Sequence, residues 1–422
     1  MRRFIILAAA ALAGTAAQAQ TIAITGGKVY PVSGPAIENG TVLIRDGKIA
    51  AVGANVSVPA DAQRIDATGK WVTPGLINAA TTLGLVEIGL EGFTRDVSAR
   101  GRDNIAAAFT VWEGFNAHSV YLAPAREEGV TSVLIAPSGG LVSGQAAFLT
   151  LADGWLNDML LRAPVAMIAE VGDKGAAGVG ARAEVLVKLR ELFEDTRAYQ
   201  RNRSAFERGE TRDYSASRLD LEAMIPVLEG RLPVIVVADK AEDIQAALKT
   251  ARDYNLRLII AGGAEGWMIA DELRGGRVTV MTGAMNNIPG WSSLGQRQDN
   301  AALLRRAGVN VVLIGNGPGD PELFNVRNIR QEAGNAVAYG MTWDDALRAV
   351  TLGPAELFGV ADKVGSLQPG REANVVIWNG DPFELLTNVD RVFVRGQEKQ
   401  RNSRQHMQTE RYRNLPPDYR KP

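Results

Sequence analysis

After residue 20 the chain opens with short β-branched and apolar runs. Thr21–Thr25, Gly27–Tyr30, Thr41–Arg45 and Lys48–Val52 are separated by Gly and Asp-Gly turns, as at Asp46-Gly47. That pattern predicts short strands and an all-β region. A matching pair recurs near the other end, at Ala373–Trp378 and Val389–Val394, with Gly396 as the following turn. A β-region split between both ends predicts that the termini meet in one small β-sandwich domain, residues 20–71 plus 359–398.

The segment between them, 72–358, has a different rhythm. Thr131–Ala136, Val165–Ala169, Val234–Ala238, Leu256–Ile260, Val278–Met281 and Val309–Ile314 are mostly continuous apolar runs, the pattern of parallel strands covered on both faces. Helical patterns alternate with them. In Ala241–Tyr254 the apolar Ile244, Ala247, Leu248 and Ala251 share one face. Strands alternating with helices predict the α/β class and a parallel barrel. Residues 185–222 are a long charged helical stretch, read as a surface insertion with a solvated face. Residues 399–422 are a polar tail, or an arm packed on a neighbouring subunit.

Composition changes this picture little. With 422 residues, 46% of them hydrophobic, the chain can bury a large core, and the length suits a barrel of about 250 residues plus a smaller domain. A formal net charge of −1 gives no global attraction to nucleic acid or an anionic membrane. The N-terminus reads as a signal peptide, residues 1–19. Arg2 and Arg3 supply the charge, Phe4–Gly14 the apolar run and Ala17-Gln18-Ala19 the cleavage site. Cleavage after Ala19 predicts a secreted, periplasmic protein. The apolar run is too short to span a bilayer. Without cysteine there is no lipid anchor site and no disulfide, so stability must come from the core.

The run Val72-Thr-Pro-Gly-Leu-Ile-Asn-Ala-Ala-Thr-Thr82 resembles the first barrel strand of the amidohydrolase superfamily, where it ends in His-x-His. The likeness extends over about residues 21–398 and is nearest to secreted imidazolonepropionase-like amidohydrolases. Gly129–Gln145, Ala346–Val360 and Val364–Trp378 carry it too, in the same order and spacing. The resemblance implies a TIM-type (β/α)8 barrel with a composite β-domain, and hydrolysis of C–N bonds in peptides or cyclic amides. It also implies metal ligands at the C-terminal ends of the barrel strands, where a metal generates hydroxide at neutral pH. The His-x-His positions are here Ala80 and Thr82. A third ligand falls on Val237 or Asp239, a fourth on Gly262, and the expected catalytic Asp on Asn316. The bridging position falls near Glu170 or Asp173. Methyl, hydroxyl and amide groups neither bind Zn²⁺ usefully nor act as bases.

The two histidines, His118 and His406, stand alone and outside any ligand spacing. The Gly139–Gln145 segment reads as a structural turn, and Trp267, Met268 and Trp291 as core. There is no nucleophile elbow and no P-loop. The leading expectation is therefore an amidohydrolase-family protein with no metal or other cofactor. It would act as a non-catalytic binding or partner subunit for a small peptide or amide, as a homo-oligomer or with a related amidohydrolase. The alternative is an active hydrolase in which a divalent metal sits on oxygen ligands from Asp173, Asp239, Glu265 and Asn316, beside Lys240.

Overall fold

The computed structural model describes residues 21–99, 101, 104–284, 290–315 and 323–413. The leader, residues 1–19, and Asn316 lie outside them. The first strands are β1 (Ile22–Val29), β2 (Ile37–Arg45), β3 (Lys48–Gly53), β4 (Gln63–Asp66) and β5 (Trp71–Pro74). The barrel follows with β6 (Leu76–Thr81), β7 (Val130–Ile135), β8 (Val142–Thr150), β9 (Leu160–Glu170), β10 (Val234–Ala238), β11 (Leu258–Gly262), β12 (Thr279–Thr282) and β13 (Val311–Leu313). The chain returns with β14 (Val375–Trp378), β15 (Val389–Val394) and β16 (Gln397–Lys399).

Both chain ends build one sheet, in the order β16-β15-β14-β5-β1-β2-β3. One edge of β1 is shared. Ile22–Thr25 pair with β4, and Lys28 and Val29 with β5. The sheet thus folds over its own apolar face, enclosing Ile24, Ile44, Val72, Val375, Ile377 and Phe393. Where it meets the barrel, Trp378 is fully buried and its indole N–H donates to Thr73 Oγ1 at 2.9 Å. Gly129 is required there, since a Cβ would lie 2.5 Å from the Trp378 ring.

The 72–82 run divides at Gly75. Trp71–Pro74 pairs antiparallel with β14, and only Leu76–Thr81 enters the barrel. A Cβ at Gly75 would sit 2.1 Å from the Thr131 side chain, so this crossing needs glycine.

The second sheet runs β13-β12-β11-β10-β9-β8-β7-β6, and β6 lies against β13, nearly closing an eight-stranded barrel. A second segment also differs from its sequence reading. Part of the glycine-rich run read as a turn, Gly139–Gln145, belongs to β8, which is antiparallel to β7 and β9. Gly144, at φ +124°, lets the backbone of Phe109 approach within 2.6 Å of where a Cβ would be. Gln145 Nε2 then donates to Ala107 O. The remaining neighbours are parallel.

Period-two alternation sorts the strands. Val234, Val236 and Ala238 face the outer helices, while Ile235 and Val237 face the barrel interior with Ile259, Ala261, Met281 and Ile314. The charged insertion forms helices at Arg182–Arg201, Arg203–Glu207 and Arg218–Leu228. The first has a solvated face but buries Val185, Leu189, Leu192 and Phe193. In the tail, Arg404–Arg413 is helical, and Ser403 is tied to Glu127 through N–H and Oγ, both at 2.6 Å.

Candidate functional site at the barrel mouth

Inward-facing positions at the strand ends decide what the barrel can do. The alternation that points Ile235 and Val237 inward continues to Asp239, two residues on. On the other strands the corresponding last steps are mostly small or apolar: Ala80 is 2% exposed, and Ala261, Met281 and Ile314 are packed in the same interior cluster as Val237. Thr82 is buried and hydrogen-bonded, and its carbonyl accepts from Leu85 N–H.

Above this apolar floor is a cavity of about 220 Å³. Val237 and Ile314 line it below, and Gly262, Gly283 and Gly315 expose backbone to it. Its charged groups are Asp239, Lys174, Arg297 and Glu332. A larger cavity, about 390 Å³, lies beside the N-terminal ends of β10 to β12. Its charged groups are Arg252, Arg257 and Arg277. Catalytic and binding groups of such barrels gather at the other, C-terminal end, so the mouth cavity is the candidate site.

The predicted polar residues separate into different roles. Asp173 accepts from Lys240 Nζ and Ser292 Oγ, both at 2.9 Å. The Lys240 bond, helped by that of Ser292, holds its carboxyl below the usual carboxylate range. Lys240 Nζ also lies 4.7 Å over the Trp291 ring. These contacts clasp the strand ends to the segment around residue 292. Glu265 is buried and spends both oxygens on backbone: Oε2 accepts from Ala241 N–H at 3.0 Å and Oε1 from Gly295 N–H at 2.9 Å. It therefore serves the start of the helix Ala241–Tyr254, whose exposed N–H groups need acceptors. Glu170 accepts from Gly139 N–H at 2.9 Å.

Asp239 differs from these. One oxygen takes a long 3.4 Å bond from Ala264 N–H. Burial pushes its carboxyl above the ordinary range, against the opposing field of Lys174. Gly262 has φ +91°, which favours glycine, and a Cβ there would stand 2.4 Å from Asp239 Oδ1. Asp239, Val237 and Gly262 thus share the mouth cavity, and Asp239 meets Asp173 and Lys240 around an adjoining crevice. Glu265, Ala80 and Thr82 line neither.

Sequence reasoning missed Lys174, Glu332, Arg297 and Asn300. Glu332 is 3% exposed in the helix Ile329–Ala338 and accepts from Ala284 N–H. Asn300 joins two loops, receiving from Trp267 N–H at 3.1 Å and donating to Gly263 O at 3.0 Å. The one cue in the sequence was an acid, Glu332, spaced onto the same helical face as Ile329, Ala333 and Ala336. Two residues read as core are instead at the surface: Trp291 is 75% and Met268 48% exposed. Both lie on segments following strand ends, where apolar residues form a rim rather than a core.

The Amidohydrolase family matches residues 292–399. A solved amidohydrolase from Thermotoga maritima superposes with a TM-score of 0.81 at 26% identity, covering 90% of this chain and all of that one. An imidazolonepropionase from Mesorhizobium japonicum is 26% identical over 83% of this chain and 89% of its own length. The chain belongs to the amidohydrolase superfamily. It is on the imidazolonepropionase-like side of that superfamily. It is also 22% identical, over 85% of its length, to amidohydrolase tasK of Hapsidospora irregularis, but spans only 39% of that longer protein.

The superfamily's metal can be tested against the residues present. At the strand ends, Ala80, Val237 and Gly262 offer no donor atom, and Asp173 and Glu265 are committed elsewhere. Among the described residues no group of three or more His, Cys, Asp or Glu is placed to hold a metal ion. Asp239 and Thr82 carry oxygens, but among the described residues the donor set does not fit a divalent metal. His118 packs edge-on against Trp155 at 4.6 Å, in the connection between β8 and β9 at the opposite end of the barrel. His406 is in the C-terminal helix, its N–H on Ser403 Oγ.

Proposed function

We propose that this chain is a secreted amidohydrolase-superfamily protein that has lost the metal centre. Its barrel mouth is kept as a binding site for a small peptide or amide, and it works as a non-catalytic binding or partner subunit. The observation that carries this reading is the strand-end layer. Where the superfamily resemblance calls for imidazoles, Ala80 and Val237 are part of a close-packed apolar cluster, Asp239 is a carboxylate, and Gly262 makes room for it. Converting such a layer back to ligands would need several coordinated changes, because packed interiors tolerate added volume poorly.

The imidazolonepropionase and amidohydrolase relatives are named as enzymes. Fold does not dictate chemistry, however, and function is argued from the site. A hard-metal hydrolase would need converging oxygens, and Asp173 and Glu265 are drawn away by Lys240 and by backbone N–H groups. A related amidohydrolase is the natural partner for such a subunit, in the periplasm to which the leader directs it.

The deciding experiment is metal analysis by mass spectrometry of protein purified from periplasm without chelator. Substoichiometric metal in a folded protein is the expected result. One or two tightly held equivalents of a divalent metal would overturn the proposal and send the search to peptides and cyclic amides as substrates.

A further inference from the structure

Four charged side chains line the mouth cavity, and they fall into two classes. Arg297 is paired with Asp299 through two bonds of 2.7 Å, and Glu332 is bound to Ala284 N–H. The other two are uncommitted. Asp239 has only the long bond to Ala264 N–H, and its second oxygen has no donor among the described residues. The ammonium of Lys174 has no ion pair or hydrogen bond among the described residues either, although it lines the same cavity. One anion and one cation thus line a cavity of about 220 Å³ with no hydrogen bond or ion pair between them, although the field of Lys174 reaches Asp239.

We propose that this cavity takes a small zwitterion, a free amino acid or short peptide, with its ammonium on Asp239 and its carboxylate on Lys174. The assignment rests on the reading of the mouth as a ligand site and names the ligand's chemistry. A simple anion would have to lie against Asp239, and a simple cation against Lys174. A molecule carrying both charges meets each group with its opposite. The volume is below the usual range for drug-sized ligands, which suits one or two residues. The segment that supplies Ser293, Gln296 and Arg297 to the lining also carries Trp291 and Leu294, 75% and 61% exposed. An apolar side chain on the ligand would cover part of that rim. The two anchors are unequal. Asp239 is half-buried in the cavity wall, so its bond to an ammonium is less screened than one at the open surface. Lys174 is exposed, and its contribution is screened.

The test is calorimetric titration of the full chain with three probes: L-alanyl-L-leucine, its N-acetyl derivative and its C-terminal amide. In the wild type, N-acetylation should weaken binding by about 10–100-fold and amidation by about 2–5-fold. Asp239→Asn should abolish the first difference and keep the second. Lys174→Met should do the reverse, and unchanged circular dichroism would show that both variants are folded. Equal binding of the three probes, or discrimination that survives both variants, overturns the zwitterion assignment and leaves the ligand-site reading standing. Failure of all three probes to bind wild type also overturns it. Stoichiometric metal in the same preparation would instead sink the reading beneath it.

Discussion

At neutral pH the carboxyl of Asp239 is held where burial disfavours its charge, with one weak hydrogen bond in return. Its folded pKa is raised above the unfolded one. Between those two values the native state holds the proton more tightly, so stability falls as pH rises through that window. Asp239→Asn should therefore stabilise the protein above the window by on the order of 1 kcal/mol, with the gain shrinking towards acid pH. Urea unfolding of both proteins at several pH values measures this, and a gain independent of pH would contradict it. Asp173 has the opposite sign. Its carboxyl is depressed by Lys240 and Ser292, so what it contributes is lost as pH falls through its folded pKa. Gly262 is tied to Asp239 by space. Gly262→Ala combines a positive φ with a contact 2.4 Å from Oδ1, and should cost about 1–3 kcal/mol; in the Asp239→Ala background the cost should be smaller, as a double-mutant cycle would show. In the sequence, Asp239 was visible as a strand-end acid. Its isolation was not, because that depends on Glu265 and Asp173 being occupied by partners far along the chain.

At the scale of elements, the strands with uninterrupted apolar runs were legible. Val234–Ala238 is a strand with the residues the pattern assigns to it, and its alternation fixes which side chains face the interior. The misreadings fall at glycines. Gly75 permits the chain to leave one sheet and enter another within a single residue, and Gly144 hides a strand inside what looks like a turn. In both places the reason for glycine is a neighbour, Thr131 or Phe109, that no local pattern reveals. Glu265 is likewise a tertiary device, joining the helix Ala241–Tyr254 to Gly295. Glu265→Ala should leave two backbone N–H groups without their acceptor, at about 1–3 kcal/mol each where water cannot reach them. Hydrogen exchange should then rise at the start of that helix and around Gly295 together; a change at only one of them would argue against the brace. Trp378, between the small sheet and the barrel, should be costlier to truncate. Trp378→Ala is expected to lose about 3–5 kcal/mol, read as a lower midpoint in denaturant unfolding.

For the whole molecule, the barrel's stability and its metal question are linked. The apolar cluster that runs from Ile77 and Leu134 up to Ala80, Val237 and Ile314 is continuous, so the floor of the mouth is the top of the core. In a barrel that keeps a metal there, part of the native stability belongs to the ion. A ligand bound only to the folded state at 100 times its dissociation constant adds about 2.7 kcal/mol, and removing it lowers the melting point accordingly. On the function proposed above, that layer, with Ala80, Val237, Met281 and Ile314, closes without an ion. Chelator treatment should leave the melting point within about 1 °C of the untreated protein, since even 1 kcal/mol moves a domain of 150–250 residues by about 2–4 °C. Adding Zn²⁺ or Mn²⁺ at micromolar concentration should likewise not raise it. The double variant Ala80→His, Thr82→His sharpens the comparison. Both positions are about 2% exposed, so the imidazoles overpack the layer and should cost about 1–3 kcal/mol apiece. Zinc should not restore that loss, because Val237 and Gly262 still supply no ligand and Asp239 alone would have to complete the shell. Rescue of the variant by zinc would mean that the remaining strand ends can complete a coordination shell after all, and that the metal centre is two substitutions away rather than dismantled.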